Sequence, residues 1–381
     1  MIRFLTAGES HGPELTVIVD GFPAGMALST DRLDAEIRRR QGGYGRGARS
    51  TRIERDHAEI TGGVDKGVTT GAPISLRIVN RDFANQPASP PPLTAPRPGH
   101  ADLAGHAKFG NPDLRAVRER ASARETAGRV AAGALAKQLL GLVGIEVGSF
   151  VTAIGEVEAT VPLLGELRAP ALRALARAAE ANDVRTPDEA AAPRMRAAVD
   201  RAKETLDTIG GVFVVFALGV PAGLGSHAQW DRRLGGRLAQ AIASIHAIKG
   251  VEIGEGFALA RLPGSRAQDA IVRDGQGLAR ASNHAGGLEG GMTNGEPLLV
   301  RAAMKPLSSV RSPVTTVDLA TGAESDAPYV RSDVCAVPAA GVVGEAMVAW
   351  VLLEAVLERY GGDRVDLICA ARERDRPAPL P

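Results

Sequence analysis

The chain has 381 residues, enough to bury a large core and, by length alone, to form one domain or several. Its 45 basic and 44 acidic side chains nearly cancel, which argues against a polyanionic partner such as nucleic acid. The longest apolar runs are shorter than the roughly 20 residues that span a bilayer, and no apolar stretch follows a basic start. We therefore expect a soluble, cytoplasmic protein with neither a membrane nor a nucleic-acid partner.

The first hundred residues predict an antiparallel sheet with one helix. Residues 2–5, 14–20 and 73–80 are rich in strand-forming side chains and alternate between apolar and polar ones. Residues 29–43 carry an N-capping serine, apolar side chains four apart, terminal arginines and closing glycines, which together predict a short helix. The proline-rich segment 84–99 is then expected to be a flexible flap without regular structure.

An alanine-rich segment, residues 121–140, predicts a largely buried helix. Gly128 and Gly133 lie within it and indicate that neighbouring elements approach its backbone closely. Because small side chains occupy two faces of this segment, we expect the helix to pack on two sides.

The second half of the chain alternates helical patterns with glycine-rich loops. Residues 165–208 are predicted to be helical with an interruption, residues 212–219 to form a strand, and residues 232–245 to form a helix. Residues 339–362 predict a buried helix that ends at a pair of glycines. The remaining residues, 363–381, are expected to be a frayed tail.

An arginine cluster in "RRRQGGYGRGAR" suggests an anion-binding loop. Guanidinium groups around flexible glycines can bind phosphate or carboxylate in a bidentate manner. The alternative is a solvated helix end whose arginines only complement the helix dipole, although this explains little beyond the helix. The members of the cluster are Arg38, Arg39, Arg40, Arg46 and Arg49.

Two histidine-containing turns are candidates for proton transfer. "GESHG" carries Ser10 and His11 between glycines, and it is equally compatible with a tight structural corner. "RPGHAD" places Asp102 two residues after His100, so that the carboxylate could hold the imidazole in one tautomer; a polar turn is the alternative. The spacing of these histidines and His106 is not that of metal ligands, so no metal is expected.

Three further polar segments could hold a small anion. "ERASARET" places Arg120, Ser122 and Arg124 at the predicted start of the alanine-rich helix, where two arginines oppose the helix dipole unless an anion binds. "MKPLSS" combines Lys305 with two serines on a loop. "RSDVCAVPAAG" brings Arg331 and Asp333 two positions apart, on one face of an extended segment.

Together these segments closely resemble the chorismate synthase family. "GESHG", "RRRQGGYGRG", "RPGHAD", "ERASARETAGRVAAG", "HAIKGVEIG", "GGLEGGMTNGE", "MKPLS" and "RSDVCAVPAAGVVGEAM" occur in the family's order over about residues 1–360. The resemblance implies one catalytic α+β domain over residues 1–362, with helices sandwiched between antiparallel sheets, in a homotetramer. It implies a lyase that removes phosphate and a C6 proton from 5-enolpyruvylshikimate 3-phosphate, using reduced FMN without net redox change.

The resemblance also implies roles for individual residues. His11, with Ser10 beside it, would lie by the departing phosphate, His100 near the flavin, and Asp333 near flavin N5 as a proton relay. Arg40 and Arg46 match positions assigned in the family to NADP, although their chemistry suits the anionic substrate better; Arg49 and Arg124 join them as substrate or NADP ligands. The implied flavin contacts are Arg120, Ala121, Ser122, His246, Ala247, Gly290, Lys305, Pro306, Leu307, Ser308, Ser309 and Arg331.

Two other functions stay open on the sequence. One is a phosphate-ligand binding protein without activity, which the joint presence of His11, His100 and Asp333 disfavours. The other is a flavin reductase that consumes NADPH, which the lack of a recognisable nicotinamide-binding motif disfavours. NADPH remains a candidate external reductant.

Overall fold

Two antiparallel sheets enclose a layer of helices that includes the two longest helices of the described residues. The description rests on a computed structural model and covers residues 2–47, 55–87, 90–275, 277–312, 314–329 and 332–375. Arg49 and Arg331, both predicted to bind ligands, lie outside these residues.

The first sheet has four strands in the order β1-β2-β6-β3. They are β1 (Arg3–Ala7), β2 (Glu14–Asp20), β3 (Glu59–Gly62) and β6 (Ile74–Val79); β4 (Val64–Asp65) and β5 (Val68–Thr69) form a small hairpin between β3 and β6. Burial alternates along β2, where Leu15, Val17 and Val19 are buried. One face of this sheet therefore covers the core and the other faces outward.

The second sheet has five strands in the order β10-β15-β9-β7-β8. They are β7 (Glu146–Ile154), β8 (Val157–Glu158), β9 (Gly211–Leu218), β10 (Ile248–Ile253) and β15 (Leu298–Met304). The central strand β9 is buried along most of its length. Both of its faces are covered, because helix α5 (Ala169–Glu180) packs on the side opposite the main core.

Three helices fill the space between the sheets: α1 (Thr30–Gln41), α4 (Thr126–Leu142) and α9 (Val337–Tyr360). A Cβ on Gly128 of α4 would lie 3.1 Å from Val17 of β2, and one on Gly133 would lie 2.3 Å from Cβ of Ala346 in α9. Helix α9 packs in turn on β7 and β9. The layers are thus sheet, helices, sheet, which confirms the predicted α+β sandwich.

The remaining elements surround this framework. The helices are α2 (Asp102–Phe109), α3 (Arg115–Arg120), α6 (Ala191–Glu204), α7 (Leu234–Ala243), α8 (Gly264–Ala267) and α10 (Val365–Arg374). The strands form three hairpins: β11 (Ile271–Asp274) with β12 (Gly277–Arg280), β13 (Leu288–Glu289) with β14 (Met292–Thr293), and β16 (Thr315–Val317) with β17 (Glu324–Asp326).

A buried carboxylate connects the central helices. Glu345 of α9 is fully buried and accepts hydrogen bonds from Arg39 of α1 at 2.7 and 2.8 Å, from Lys137 of α4 at 2.7 Å and from Ser149 of β7 at 2.6 Å. Burial alone would raise the pKa of Glu345, but these cations hold it well below its usual range. Arg39 of the predicted anion-binding cluster therefore has a structural role.

Most predicted elements are present within one to three residues, and two expectations are corrected. The alanine-rich helix begins at Thr126 and not at residue 121, because α3 ends at Arg120 and Ser122 caps a short 3-10 turn between the helices. The tail is not frayed from residue 363: α10 continues to Arg374 and buries Val365 and Ile368. Backbone hydrogen bonds of Asp363 and Val365 with Ala24 attach it to the core.

Among the described residues, α9 is the one helix long and apolar enough to cross a membrane, with a mean hydropathy of 1.8 over its most apolar window. However, 89% of that window is buried inside the protein. Its apolar character is thus explained by its position between α4 and the second sheet.

Candidate active site

A cavity of about 440 Å³ opens where loops from both sheets meet the central helices. Its walls come from the turn after β1, the end of α1, the segment before α2, the junction of α3 and α4, the end of β15 and the start of α9. More cations than carboxylates line it: Arg40, Arg46, Arg97, Arg118, Arg124 and Lys305, against Glu119 and Asp333. Its size and charge suit a small anionic ligand.

His11 is held at this cavity by a carboxylate from α3. Its Nδ1 lies 2.7 Å from Oε2 of Glu119, and its backbone N–H donates to the same oxygen at 2.8 Å. Burial alone would raise the pKa of Glu119, but the hydrogen bonds from His11 hold it below its usual range. A carboxylate at Nδ1 places the proton on that nitrogen, so Nε2 is the nitrogen that can exchange a proton.

The backbone around His11 is also fixed. Asn80 donates to the carbonyl of Gly12 at 2.7 Å and to that of Ser10 at 3.3 Å, and Ser122 donates from Oγ to Oγ of Ser10 at 3.1 Å. Gly8 has φ of +105°, and a Cβ there would lie 2.4 Å from the carbonyl oxygen of Glu14. The turn is therefore both a tight corner and the holder of an oriented imidazole.

A carboxylate holds the imidazole of His100 in the same way. Its Nδ1 lies 2.6 Å from Oδ1 of Asp102, and Arg97 donates from Nε to Oδ2 of Asp102 at 3.0 Å. Burial alone would raise the pKa of Asp102, but His100 and Arg97 hold it well below its usual range. The predicted contact between His100 and Asp102 is confirmed, and Arg97, which also reaches Ser309 at 2.8 Å, extends the network.

Asp333 and the predicted arginines Arg40 and Arg46 meet at the cavity. Arg46 donates from Nη1 to Asp333 at 2.5 Å, and the backbone N–H of Gly47 donates to Asp333 at 2.6 Å. Arg40 donates to Thr126 Oγ1 at 2.9 Å and to the carbonyl of Ala123 at 2.9 Å. These contacts orient the side chains in advance of ligand binding.

Arg124 is anchored by an ion pair that the sequence did not indicate. Its guanidinium binds both carboxylate oxygens of Asp56, and both side chains are buried. A buried pair of this kind fixes the guanidinium, so Arg124 presents a rigid face to the cavity.

The loop after β15 forms another wall. Lys305 donates to Oγ of Ser308 at 3.2 Å, Ser308 donates to the carbonyl of Gly99 at 2.8 Å, and Thr208 donates to the carbonyl of Leu307 at 2.7 Å. Burial and the nearby Lys249 lower the pKa of Lys305. The fixed loop thus holds the ammonium group of Lys305, which has a further proton to donate to an oxyanion, on the cavity wall.

His246 and Ala247 supply a less polar wall. Burial lowers the pKa of His246 to about 4, so the ring is neutral near pH 7, and its buried Nδ1 has no hydrogen-bond partner among the described residues. Ala247 has φ of +65°, a strained conformation for a residue with a Cβ. Small side chains extend this surface: Ala121, Ala123, Ala336, Ala339 and Ala340.

Several predicted ligand residues do not line the cavity of this chain. Arg120 points onto β1, where it donates to the carbonyl and hydroxyl of Thr6, each at 2.7 Å, and to Gly8. Gly290 lies in the turn between β13 and β14, and Pro306 lies between lining residues without lining the cavity itself. His106 donates to the carbonyl of Asn111 at 2.7 Å, a local contact at the end of α2.

Sequence reasoning missed Glu119 and Arg118, and it gave Arg97 no role. All three lie inside or directly beside motifs that were recognised, "RPGHAD" and "ERASARET". A carboxylate next to an arginine-rich turn is an available signal, but nothing local shows that Glu119 meets an imidazole 108 residues away.

The fold and a cationic cavity lined by two oriented histidines and an aspartate are typical of an enzyme that acts on a small anionic molecule. A family model described as chorismate synthase matches residues 2–357. A chorismate synthase of Moorella thermoacetica is 54% identical over 378 residues, covering 97% of this chain and 96% of the relative. Another, of Rubrobacter xylanophilus, is 53% identical over 383 residues, covering 97% of this chain and 95% of the relative.

A crystal structure of chorismate synthase matches with a TM-score of 0.81 and 44% identity, covering 98% of this chain and 96% of that one. The chain belongs to the chorismate synthase family. It is accordingly a carbon–oxygen lyase, which eliminates phosphate and the C6 proton from 5-enolpyruvylshikimate 3-phosphate to give chorismate for aromatic amino acid biosynthesis. The family requires a reduced flavin.

Proposed function

We propose that the cationic cavity is where this elimination takes place, with His11, His100 and Asp333 as its catalytic residues. The observation that carries the proposal is the meeting of these three side chains, from distant parts of the sequence, in one cavity lined by anchored arginines. The reaction releases a phosphate anion and a proton from C6. The cations of the cavity can stabilise the phosphate, and its titratable groups can accept the proton.

His11 donates a proton or hydrogen bond to the departing phosphate. Glu119 fixes Nδ1, so Nε2 is directed to the leaving oxygen. Ser10, held by Ser122, adds a hydroxyl beside it. Because these groups are in place before the substrate binds, little reorganisation is needed as negative charge develops.

Asp333 relays the C6 proton. Arg46 and Gly47 fix its two carboxylate oxygens, which sets the direction from which it can accept a proton. His100 occupies the flavin side of the cavity, where Asp102 holds its Nδ1 and leaves Nε2 for the ligand. Proton removal and phosphate departure are thereby assigned to separate residues.

The residues present fit a bound flavin, which we propose to be reduced FMN. When bound, it supplies a transient electron to the substrate and recovers it, so no net redox change results. Nδ1 of His246, which has no partner among the described residues, offers one hydrogen-bonding position, and the small side chains of Ala121, Ala247 and Ala339 leave apolar space for a ring system. Lys305 and Ser309 offer donors to anionic oxygens. Leu307, Ser308 and Ser122 complete this wall, and Arg331 and Arg120 stay predicted contacts.

We assign Arg40, Arg46 and Arg124 to the anionic groups of the substrate, together with Arg49. The first three are anchored by hydrogen bonds on the cavity wall, as an arrangement for binding carboxylate or phosphate requires. NADPH as an external reductant is the second possible ligand of Arg40 and Arg46. We further propose that the enzyme is cytoplasmic and works as a homotetramer, without nucleic-acid or membrane partners.

The direct test is an anaerobic assay with photoreduced FMN and 5-enolpyruvylshikimate 3-phosphate, following chorismate by its absorbance. We expect turnover that depends on reduced FMN, with no consumption of reductant per chorismate formed. Oxidation of NADPH with oxidised FMN, in a parallel assay and without chorismate formation, would instead support the flavin reductase hypothesis. Tight substrate binding without any product would support the inactive binding protein.

A further inference from the structure

Arg118 differs from every other arginine that lines the cavity. Arg40, Arg46, Arg97 and Arg124 each bind a carboxylate or a backbone carbonyl. Arg118 lies on α3, is half-buried and lines the same cavity, yet its guanidinium has neither a hydrogen-bond nor an ion-pair partner among the described residues. Its five donors are therefore available to a ligand.

The electrostatic surroundings make this charge unfavourable in the ligand-free protein. Burial, and then the positive charge of Arg97, lower the pKa of Arg118, while Glu119 and Asp102 compensate only in part. Those two carboxylates already accept hydrogen bonds from His11, and from His100 and Arg97. A half-buried cation that lacks its own counter-ion is stabilised when an anion enters beside it.

We propose that Arg118 binds a phosphate group in this cavity, beside the imidazole that Glu119 holds. The identity of the molecule that carries this phosphate, the substrate or the flavin mononucleotide, rests on the proposed function. The binding of phosphate by Arg118 does not. Planar guanidinium groups bind phosphate through two parallel hydrogen bonds. Arg118 and Glu119 both line the cavity from α3.

The first experiment measures inorganic phosphate binding by calorimetry on the full chain. Arg118→Gln is expected to raise the Kd by about tenfold or more, the usual loss for a hydrogen bond to a charged group. Arg118→Lys should recover part of the affinity. The control is Arg115→Gln on the same helix, because Arg115 binds the carbonyl of Pro91 at 2.7 Å and does not line the cavity.

The melting temperature without ligand separates binding from a structural role. If Arg118 only complements the dipole at the end of α3, Arg118→Gln should lower the melting temperature and leave phosphate affinity unchanged. We expect the reverse, an equal or higher melting temperature with weaker phosphate binding, because the substitution removes an uncompensated charge. Unchanged phosphate affinity in Arg118→Gln overturns the proposal.

Two further measurements distinguish the sources of the phosphate. If Arg118 binds the flavin's phosphate, Arg118→Gln should lower the preference for FMN over riboflavin, measured by fluorescence quenching with the oxidised flavins. If it binds the substrate's phosphate, that preference should be unchanged while the KM for the substrate rises. The wild type could form no chorismate while Arg118→Gln still binds phosphate more weakly than the wild type does. That result would refute the proposed function and support this inference.

Discussion

The residues of the proposed active site form pairs, in which a second side chain orients the one to which we assign the chemistry. Glu119 holds His11, Asp102 holds His100, and Arg46 holds Asp333. Orientation by a second residue reduces the rotamer freedom that the first would otherwise lose on reaching the transition state. Removal of the first member of a pair is therefore expected to reduce turnover far more than it reduces stability.

His11→Ala is expected to lower kcat by a factor on the order of 10²–10⁴, the range for a positioned proton donor, or roughly 3–5 kcal/mol of barrier. Folding should be retained, because Gly8 and the Asn80 hydrogen bonds shape the turn. The measurement is chorismate formation under anaerobic conditions, with circular dichroism as the folding check. His106→Ala is the matched control, since His106 hydrogen-bonds the local carbonyl of Asn111 and is not among the cavity-lining residues. Near-normal turnover in His11→Ala would refute the catalytic role.

His246 makes the stability of the protein depend on pH. Burial depresses its pKa to about 4 from an ordinary 6.5, so the folded state resists protonation that the unfolded chain accepts. The resulting destabilisation is absent above pH 7, grows as the pH falls below 6.5, and is complete below pH 4. His246→Asn should remove this pH-dependent destabilisation. As the pH falls from 8 to 5, the free energy of unfolding of the variant should therefore rise by on the order of 1–2 kcal/mol relative to that of the wild type.

Urea unfolding of both proteins at pH 8 and pH 5 measures this difference. The free energy of unfolding of the variant minus that of the wild type is compared between pH 8 and pH 5. The effect of the substitution on packing is the same at both pH values and therefore cancels. An equal stability difference at pH 8 and pH 5 would mean that the imidazole is not desolvated as the structure indicates.

Among the secondary-structure elements, α4 has the most demanding contacts, because it packs on the first sheet and on α9 at once. Its glycines permit close contact with both the sheet and α9. Glu345 of α9 also binds Lys137 of α4 and Arg39 of α1, which connects the three central helices. The start of α9 supplies Ala336, Ala339 and Ala340 to the cavity. Helix packing thus determines the width of the site as well as the stability of the core.

Gly133→Ala is expected to destabilise the protein by about 1–3 kcal/mol, because the new Cβ would lie 2.3 Å from Cβ of Ala346 and force the helices apart. Gly141→Ala on the same helix meets nothing within 4 Å and should be neutral or stabilising by up to about 1 kcal/mol. Chemical denaturation of both variants gives the comparison. Equal effects of the two substitutions would contradict the close packing of α4 on α9.

Across the whole molecule, large apolar side chains remain exposed in the single chain. Trp230, Phe257 and Leu278 are 78%, 75% and 62% exposed, so apolar surface is available for contact with another subunit. We expect the protein to sediment near four times its 39.5 kDa in analytical ultracentrifugation, as the proposed tetramer requires. A monomer at micromolar concentration would contradict this expectation.

The sequence by itself determined the local elements and the members of the site with recognisable motifs. Strand β2 follows from alternation, α1 from its capping serine and terminal glycine, and α9 from its apolar length and the glycine at its end. These features depend on neighbours within a few residues, so local rules predict them. His11, His100 and Asp333 stood out as polar residues in short motifs, and the roles predicted for them came from the resemblance of those motifs to the family.

Only the tertiary structure decided which distant groups meet. Glu119 reaches His11 across 108 positions, Asp56 reaches Arg124 across 68, and Arg120 turns away from the cavity onto β1. The C-terminal segment forms α10 because Val365 and Ile368 are buried against the core. The sequence of a short polar segment does not predict this tertiary contact. The physical reason is the same in each case: burial and ion pairing depend on which elements pack together, and that arrangement is a property of the whole chain.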